Sequence, residues 1–264
     1  MRYKITLSYN GASFCGWQRQ RGAPSVQETL ENALSTLLGQ PVQVTGAGRT
    51  DTGVSAIDYV AHFDAGEVLD ADYIACKLNA ILPAHTAVSE LVPAAEGFHA
   101  RFDAKSRSYT YFLHRCKNPF LADRSYFYAY PGLDFDLMNR AAALLTGTHD
   151  FSCFQKTGSD AKTSICTVSE AFWMQYSPTL SPGSPLPGCN YWYFRITADR
   201  FLRNMVRAIV GTLLEVGRGK RSLEDFAALI LPEDGDTPAP SGSRRSLAGE
   251  SVPGHALFLT EIKY

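Results

Sequence analysis

The sequence predicts an α+β fold with largely antiparallel sheets, arranged as two split β-α-β halves. Three observations lead there. Short alternating stretches such as Tyr3–Tyr9 read as half-buried strands. Longer stretches such as Val26–Leu38 carry apolar residues at helical spacing. The order strand, helix, strand, strand, helix, strand then occurs twice along the 264 residues. The repeat is one of pattern, without residue identity between the halves. The expected boundary lies near residues 95–105, giving an N-terminal half over 1–100 and a C-terminal half over 101–264.

The first half begins with the strand Tyr3–Tyr9, stopped by the turn pair Asn10-Gly11. The loop Phe14–Arg21 follows, with an aromatic pair, amides and two arginines. Trp17 is open to two readings, a cover for the core edge or a ligand contact. Ser25-Val26-Gln27-Glu28 has the form of a capping box. The stripe Val26, Leu30, Ala33, Leu34, Leu37 and Leu38 then faces a core, and Gly39 ends the helix. Strands are expected at 42–45 and 56–63, a helix over Asp70–Leu82 before Pro83, and a short strand over Ala87–Val92.

In the second half Ser108–His114 reads as a strand and Phe135–Leu145 as a helix ended by Thr146-Gly147. Ser164–Tyr176 and Tyr191–Thr197 read as strands, Phe201–Val216 as a long helix, and Leu257–Tyr264 as a closing strand. Leu223–Leu231 reads as a short helix. Ser177–Gly188, with four prolines, and the Pro/Gly/Ser-rich Pro232–Gly254 read as surface loops.

Composition excludes several classes. An apolar share of 45% supports a sizeable core and argues against disorder. No apolar run approaches a membrane span, and Met1–Ile5 enters a strand at once, so a soluble cytoplasmic protein without signal peptide is expected. The six cysteines and six histidines are dispersed, without Cys-x-x-Cys or His-Glu-x-x-His spacing. Reduced thiols and no metal site follow. A net charge of −1 argues against a uniformly basic nucleic-acid binder, yet permits a basic face balanced by acidic loops such as Pro232–Asp236.

Chemistry concentrates in three segments. Gly46–Gly53 places three glycines around Arg49 and Asp51, between two expected strands. A plain hairpin loop is the bland reading; a charged pair on a rigidly framed loop points to function. Asp51 could serve as nucleophile, general base or metal ligand. Only Asp58 is near enough in sequence to help bind a metal, which favours nucleophile or base. Arg49 at the least neutralises the loop. The Asp51-Thr52-Gly53 triplet also matches aspartic proteases, which need two such carboxylates and hence a dimer of this chain.

The strand Ser108–His114 puts Tyr109, Tyr111 and Leu113 on one face, just after Lys105 and Arg107. Aromatics beside cations suit base stacking and phosphate contact, although strand tyrosines also serve as core. In Asp199–Arg207 the arginines Arg203 and Arg207 flank an apolar stripe, four residues apart. Like charges at that spacing cost a helix a few tenths of a kcal/mol, roughly. Phosphate or a carboxylate such as Asp51 could compensate them; a solvated pair is the alternative.

Gly48-Arg49-Thr50-Asp51-Thr52-Gly53-Val54 resembles the Gly-Arg-Thr-Asp-Ala-Gly-Val signature of TruA-type tRNA pseudouridine synthases. Tyr9–Gln18, Ser25–Gln27, Phe98–Phe102, Arg107–Tyr111, Gly147–Phe151 and Phe201–Gly211 agree with that family in the same order. The resemblance spans nearly the whole chain. This sequence departs from the pattern at Thr52 for alanine, Ser55 for histidine, and Asp58-Tyr59 for a Gly-Gln pair. The C-terminal Pro253–Leu259 is a loosened form of the family motif.

The resemblance implies a pseudouridine synthase fold of two ferredoxin-like halves with a central cleft. It implies isomerisation of uridine in the anticodon stem-loop of tRNA, at tRNA positions 38, 39 and 40, with no cofactor and no metal. Asp51 maps onto the nucleophile or base, and Arg49 onto a residue that holds the flipped-out uridine. Tyr109 maps onto the tyrosine that stacks on the target base, and Arg207 onto the arginine that keeps the aspartate ionised. Arg203, Arg107 and Lys105 become candidate RNA contacts. A homodimer is implied, pooling Arg19/Arg21, Lys105/Arg107, Arg203 and Arg218/Lys220/Arg221 into one basic cleft. RNA binding or chaperoning without catalysis is the alternative role.

Overall fold

The computed structural model describes residues 1–158, 161–178, 191–230 and 244–264. In chain order its elements are β1 (Arg2–Tyr9), α1 (Val26–Leu38), β2 (Val44–Gly46), β3 (Ser55–Asp64), α2 (Ala71–Ile81), β4 (Thr86–Pro93), β5 (Ser106–His114), β6 (Tyr126–Phe127), α3 (Phe135–Ala143), β7 (Gly147–Asp150), β8 (Ile165–Tyr176), β9 (Tyr191–Ala198), α4 (Met205–Gly217), α5 (Leu223–Ala227) and β10 (Leu257–Lys263). The protein is mixed α+β, with mostly antiparallel strand pairs, as the sequence predicts. β10 with β3 and β5 with β6 pair in parallel. The chain divides into two units, Met1–Arg107 with Phe258–Tyr264, and Ser108–Leu257.

In the first unit the strands run β4-β1-β3-β10, and β2 also pairs with β3. Alternation on β1 buries Tyr3, Ile5, Leu7 and Tyr9 on one face. Leu30 and Leu34 of α1, and Ile74 and Leu78 of α2, complete the core there. Burying each such side chain contributes about 1.5–3 kcal/mol, so the two helices are held by packing more than by propensity. Ser25 caps α1 by accepting from the Glu28 backbone at 3.3 Å. The reciprocal half of the expected capping box gives way to a Glu28–Arg19 ion pair at 3.4 Å. Gly39 ends the helix in the left-handed region, at φ 65°.

In the second unit the order is β5-β9-β8-β7, with β6 beside β5. Its central element is α4, buried almost all round from Met205 to Val216. The sequence predicts this helix from Phe201, but Asn204 adopts φ 66° and the helix begins one residue later. Asparagine tolerates that conformation, so the apolar stripe continues while the helix does not. The short β6 and β7 were not expected. Two residues are too few to show alternation, and β7 begins at Gly147, which the sequence marks only as the end of the preceding helix. At Gly211 a Cβ would sit 1.8 Å from the Glu250 carbonyl oxygen, so helix and chain meet backbone to backbone. Thr212 seals the contact, accepting from Gly249 N at 2.9 Å.

The expected loop Ser177–Gly188 beyond residue 178, and the Pro232–Gly254 stretch up to residue 243, lie outside the described residues. Cys15, Cys76, Cys153 and Cys166 carry free thiols as expected, whereas Cys116 is disulfide-bonded. Sequence spacing does not reveal that, because disulfide pairing follows distance in space.

His62 on β3 is 6% exposed, and its Nδ1 accepts the Ala100 N–H at 3.1 Å. Burial above all, then Arg2 and His99, hold its pKa below the ordinary value against the opposing pull of Asp64 and Asp103. The folded state therefore keeps a neutral imidazole that the unfolded chain protonates near pH 6.5, roughly. Stability should be complete above that pH and decline as pH falls toward the folded pKa. Urea unfolding at pH 7.5 and 5.5 measures the decline. His62→Asn, which retains an acceptor near Nδ1 without titrating, should make it shallower, the remainder coming from His114, which burial also holds below the ordinary histidine pKa.

Candidate active site

β2 leads into the glycine loop and β3 leads out of it. The last rung of their ladder joins Gly46 to Ala61, and Ala47 N then donates to Val60 O at 2.9 Å. Beyond that point the loop is held by a second loop, Gly11–Gln18, that lies against it. Trp17 N donates to Thr50 O, and Gly53 N to Phe14 O, each at 3.3 Å. Val54 N donates to Asp51 O at 3.1 Å, closing a tight turn over Gly53, whose φ is 80°. Such contact needs backbone without side chains. A Cβ on Gly11 would lie 2.2 Å from Val54 O, and one on Gly16 would lie 2.4 Å from Thr50 O.

An aromatic cluster fills the space beneath. Trp17, 2% exposed, stacks on Tyr59 with ring centroids 4.2 Å apart, so its core reading holds. Tyr9 leans on both rings, and its hydroxyl meets Thr50 Oγ1 at 2.9 Å. Tyr59 Oη donates to Gly48 O and accepts from Gly48 N at 3.1 Å. Arg49 is exposed, and its Nε donates to Gln18 Oε1 at 3.1 Å. Gln18 Nε2 in turn donates to Gln27 Oε1 at 2.6 Å, tying Arg49 to α1. Asp51 is half-exposed on a backbone anchored on both sides. A carboxylate so held can reach a substrate without a conformational change of its loop.

Arg107 braces the loop from outside. Its guanidinium donates to the carbonyls of Ala47 at 3.1 Å, Ala104 at 2.9 Å and Arg101 at 2.6 Å. Lys105 is exposed, with its backbone N–H on Lys263 O at 2.7 Å.

The second unit holds the other candidates. The Tyr109 ring meets Phe201 edge to face at 5.0 Å, while Tyr111 is fully buried and donates to Pro253 O at 3.2 Å. Arg207 is fixed at two ends by one residue: its Nε donates to Val252 O at 2.7 Å, and Val252 N donates to Arg207 O at 3.2 Å. Asn204 Nδ2 donates to Ser251 Oγ at 2.5 Å, adding a second tie to the same strip of chain. Arg203 is exposed. Thus Asp51, Arg49, Arg107 and Lys105 belong to one unit, and Tyr109, Arg203 and Arg207 to the other.

Several of the expected basic contacts are already engaged locally. Arg19 lies 3.4 Å from Glu28 and 3.6 Å from Glu31. Arg221 pairs with Glu215 at 2.9 Å, and Arg218 stacks over the Tyr130 ring at 4.0 Å. Among the described residues no group of three His, Cys, Asp or Glu side chains could hold a metal ion. No described helix is long and apolar enough to cross a membrane.

Sequence reasoning missed Tyr9, Tyr59 and the Ser251–Val252 strip as site supports. They meet their partners only across long separations, which leave no local pattern. The clearest available signal was Tyr59 itself, a departure from the resembled pattern. The other departures also acquire local reasons. Ser55 is buried, and its Oγ accepts the Gly11 N–H at 3.0 Å. Asp58 adopts φ 51° where β3 bulges, as the register steps from Leu7↔Tyr59 to Tyr9↔Ala56. Glycine suits that conformation better than aspartate. Asp58→Gly should therefore stabilise the protein by up to about 1 kcal/mol, read as a raised midpoint in chemical denaturation. Ser55→Ala strands a buried N–H and should cost about 1–3 kcal/mol in the same measurement.

A family profile described as tRNA pseudouridine synthase matches residues 141–264. A protein from Porphyromonas gingivalis, named tRNA pseudouridine synthase A, is 46% identical over 100% of this chain and 97% of its own length. One of the same name from Parabacteroides distasonis is 45% identical over 100% of this chain and 96% of its own. Another, from Bacteroides thetaiotaomicron, is 47% identical over 100% of this chain and 90% of its own. Relatives 45–47% identical over the whole of this chain show that it belongs to the tRNA pseudouridine synthase A family of RNA-modifying isomerases.

Proposed function

We propose that this chain isomerises uridine to pseudouridine in the anticodon stem-loop of tRNA, at tRNA positions 38, 39 and 40, with Asp51 as the reacting carboxylate. The observation that carries this is Asp51 itself: half-exposed, on a turn clamped from both sides, inside the segment Gly48–Val54 that resembles the family signature but for Thr52. In this reading the target uridine leaves the stack, at a cost of a few kcal/mol, roughly. Tyr109 stacks on the extruded base, a contact worth about 1–3 kcal/mol. Arg49 helps keep the uridine out, and Arg207, held by Val252, is the arginine this reading assigns as the partner of Asp51.

The N1–C1′ glycosidic bond breaks, uracil turns, and C5 bonds to C1′. The C5 proton leaves and N1 gains one, so substrate and product have the same composition. Asp51 acts as nucleophile on sugar or base, or as the base that takes a proton. No cofactor or metal enters this scheme.

Two ferredoxin-like halves complete the architecture of this reading, the N-terminal half carrying Asp51 and the C-terminal half carrying Tyr109 and Arg207. The enzyme acts in the cytoplasm as a homodimer with one tRNA touching both subunits. Lys105 and Arg203, both exposed, are the better candidates for RNA phosphates, since Arg107 already serves three backbone carbonyls. The Asp51-Thr52-Gly53 triplet carries no protease reading, because it is part of the longer family segment.

Asp51→Asn should lower pseudouridine formation by at least about 100-fold while tRNA affinity stays within a few-fold. Mapping pseudouridine in tRNA incubated with each protein, beside a binding titration, measures both. An active variant would remove Asp51 from the chemistry. An inactive parent that still binds tRNA would favour the RNA-binding role without catalysis.

A further inference from the structure

We propose that Tyr59 is a positioning residue for the Asp51 carboxylate, acting through the backbone of Gly48; this rests on the reading of Asp51 as the reacting group. The ladder between β2 and β3 ends at Gly46, and its last neighbouring bond is that of Ala47 to Val60. Past it, the Tyr59 hydroxyl takes over, accepting from Gly48 N at 3.1 Å and donating to Gly48 O. Gly48 lies three residues before Asp51 and directly before Arg49.

The hydroxyl has little freedom to be elsewhere. Tyr59 is fully buried, stacked on Trp17, and its Oη lies 2.2 Å from where a Cβ on Gly46 would be. Gly46 therefore leaves the space that Tyr59 fills. Trp17 N and Tyr9 Oη hold the carbonyl and the side chain of Thr50. Both residues flanking Arg49 are thus fixed by the same aromatic cluster, and the chain reaches Asp51 from a set height and direction. A displacement of about 1 Å at a reacting group can cost about 100-fold in rate. At this position the resembled pattern carries glutamine, and in this chain a tyrosine hydroxyl holds Gly48.

The test compares Tyr59→Phe with Tyr3→Phe. Tyr3 is an equally buried tyrosine of the same unit, whose hydroxyl accepts from Leu69 N at 2.7 Å. Thermal midpoint, kcat and KM are measured for each on tRNA. Tyr59→Phe should lower kcat between about 10- and 100-fold with KM within about twofold of the parent. Tyr3→Phe should keep kcat within about twofold at a comparable loss of thermal midpoint. The inference is overturned if Tyr59→Phe keeps the parental kcat, if its loss appears in KM alone, or if Tyr3→Phe loses kcat equally. An active Asp51→Asn variant would instead overturn the role of Asp51. An inactive one beside a fully active Tyr59→Phe overturns the positioning role alone.

Discussion

Backbone touching backbone is the constraint on which this site depends. Gly11 and Gly16 let one loop lie directly on Thr50–Val54, at distances no side chain would permit. The bonds made there are peptide to peptide, from Trp17 N to Thr50 O and from Gly53 N to Phe14 O. Hydrogen bonds of that kind contribute about 0.5–1.5 kcal/mol each, modest in stability but directional. Their use is to give one carboxylate a single orientation. The second unit repeats the device at Gly211, where the approach to Glu250 draws the neighbouring Ser251–Val252 strip against α4 and so fixes Arg207.

The aromatic cluster shows how apolar burial is turned into polar precision. Tyr9, Trp17 and Tyr59 pack as a core would, yet each also spends a polar group on the loop above. Two hydroxyls and one peptide N–H reach Gly48 and Thr50. A stacked ring cannot drift without losing apolar contact, so the hydroxyl it carries inherits the rigidity of the core.

Much of this was legible in the sequence. The helix at Val26–Leu38 announced itself through its stripe and its Gly39 stop, and the α+β alternation through apolar periodicity. Asp51 stood out because a carboxylate among glycines has little structural purpose. The supports were not legible, for a physical reason. Tyr59 meets Gly48 across 11 residues, Thr50 meets Tyr9 across 41, and Arg207 meets Val252 across 45, and no period in the chain encodes such contacts. The start of α4 at Met205 rather than Phe201 has the opposite reason. There the local signal was strong, and a single left-handed residue overrode it.

The bulge in β3 has a consequence for how this chain can vary. Side chains on a strand alternate between faces, so one added or lost residue reverses every position beyond it. The extra residue between Ala56 and Tyr59 sets the phase that turns Tyr59 toward Gly48 while Ser55 still reaches Gly11. The segment from Gly46 to Tyr59 can therefore exchange letters but not change its count. The four departures from the resembled pattern, at Thr52, Ser55, Asp58 and Tyr59, are all substitutions within an unchanged spacing. Related chains should obey the same arithmetic, tolerating new residues in this stretch and rejecting insertions or deletions of a single one.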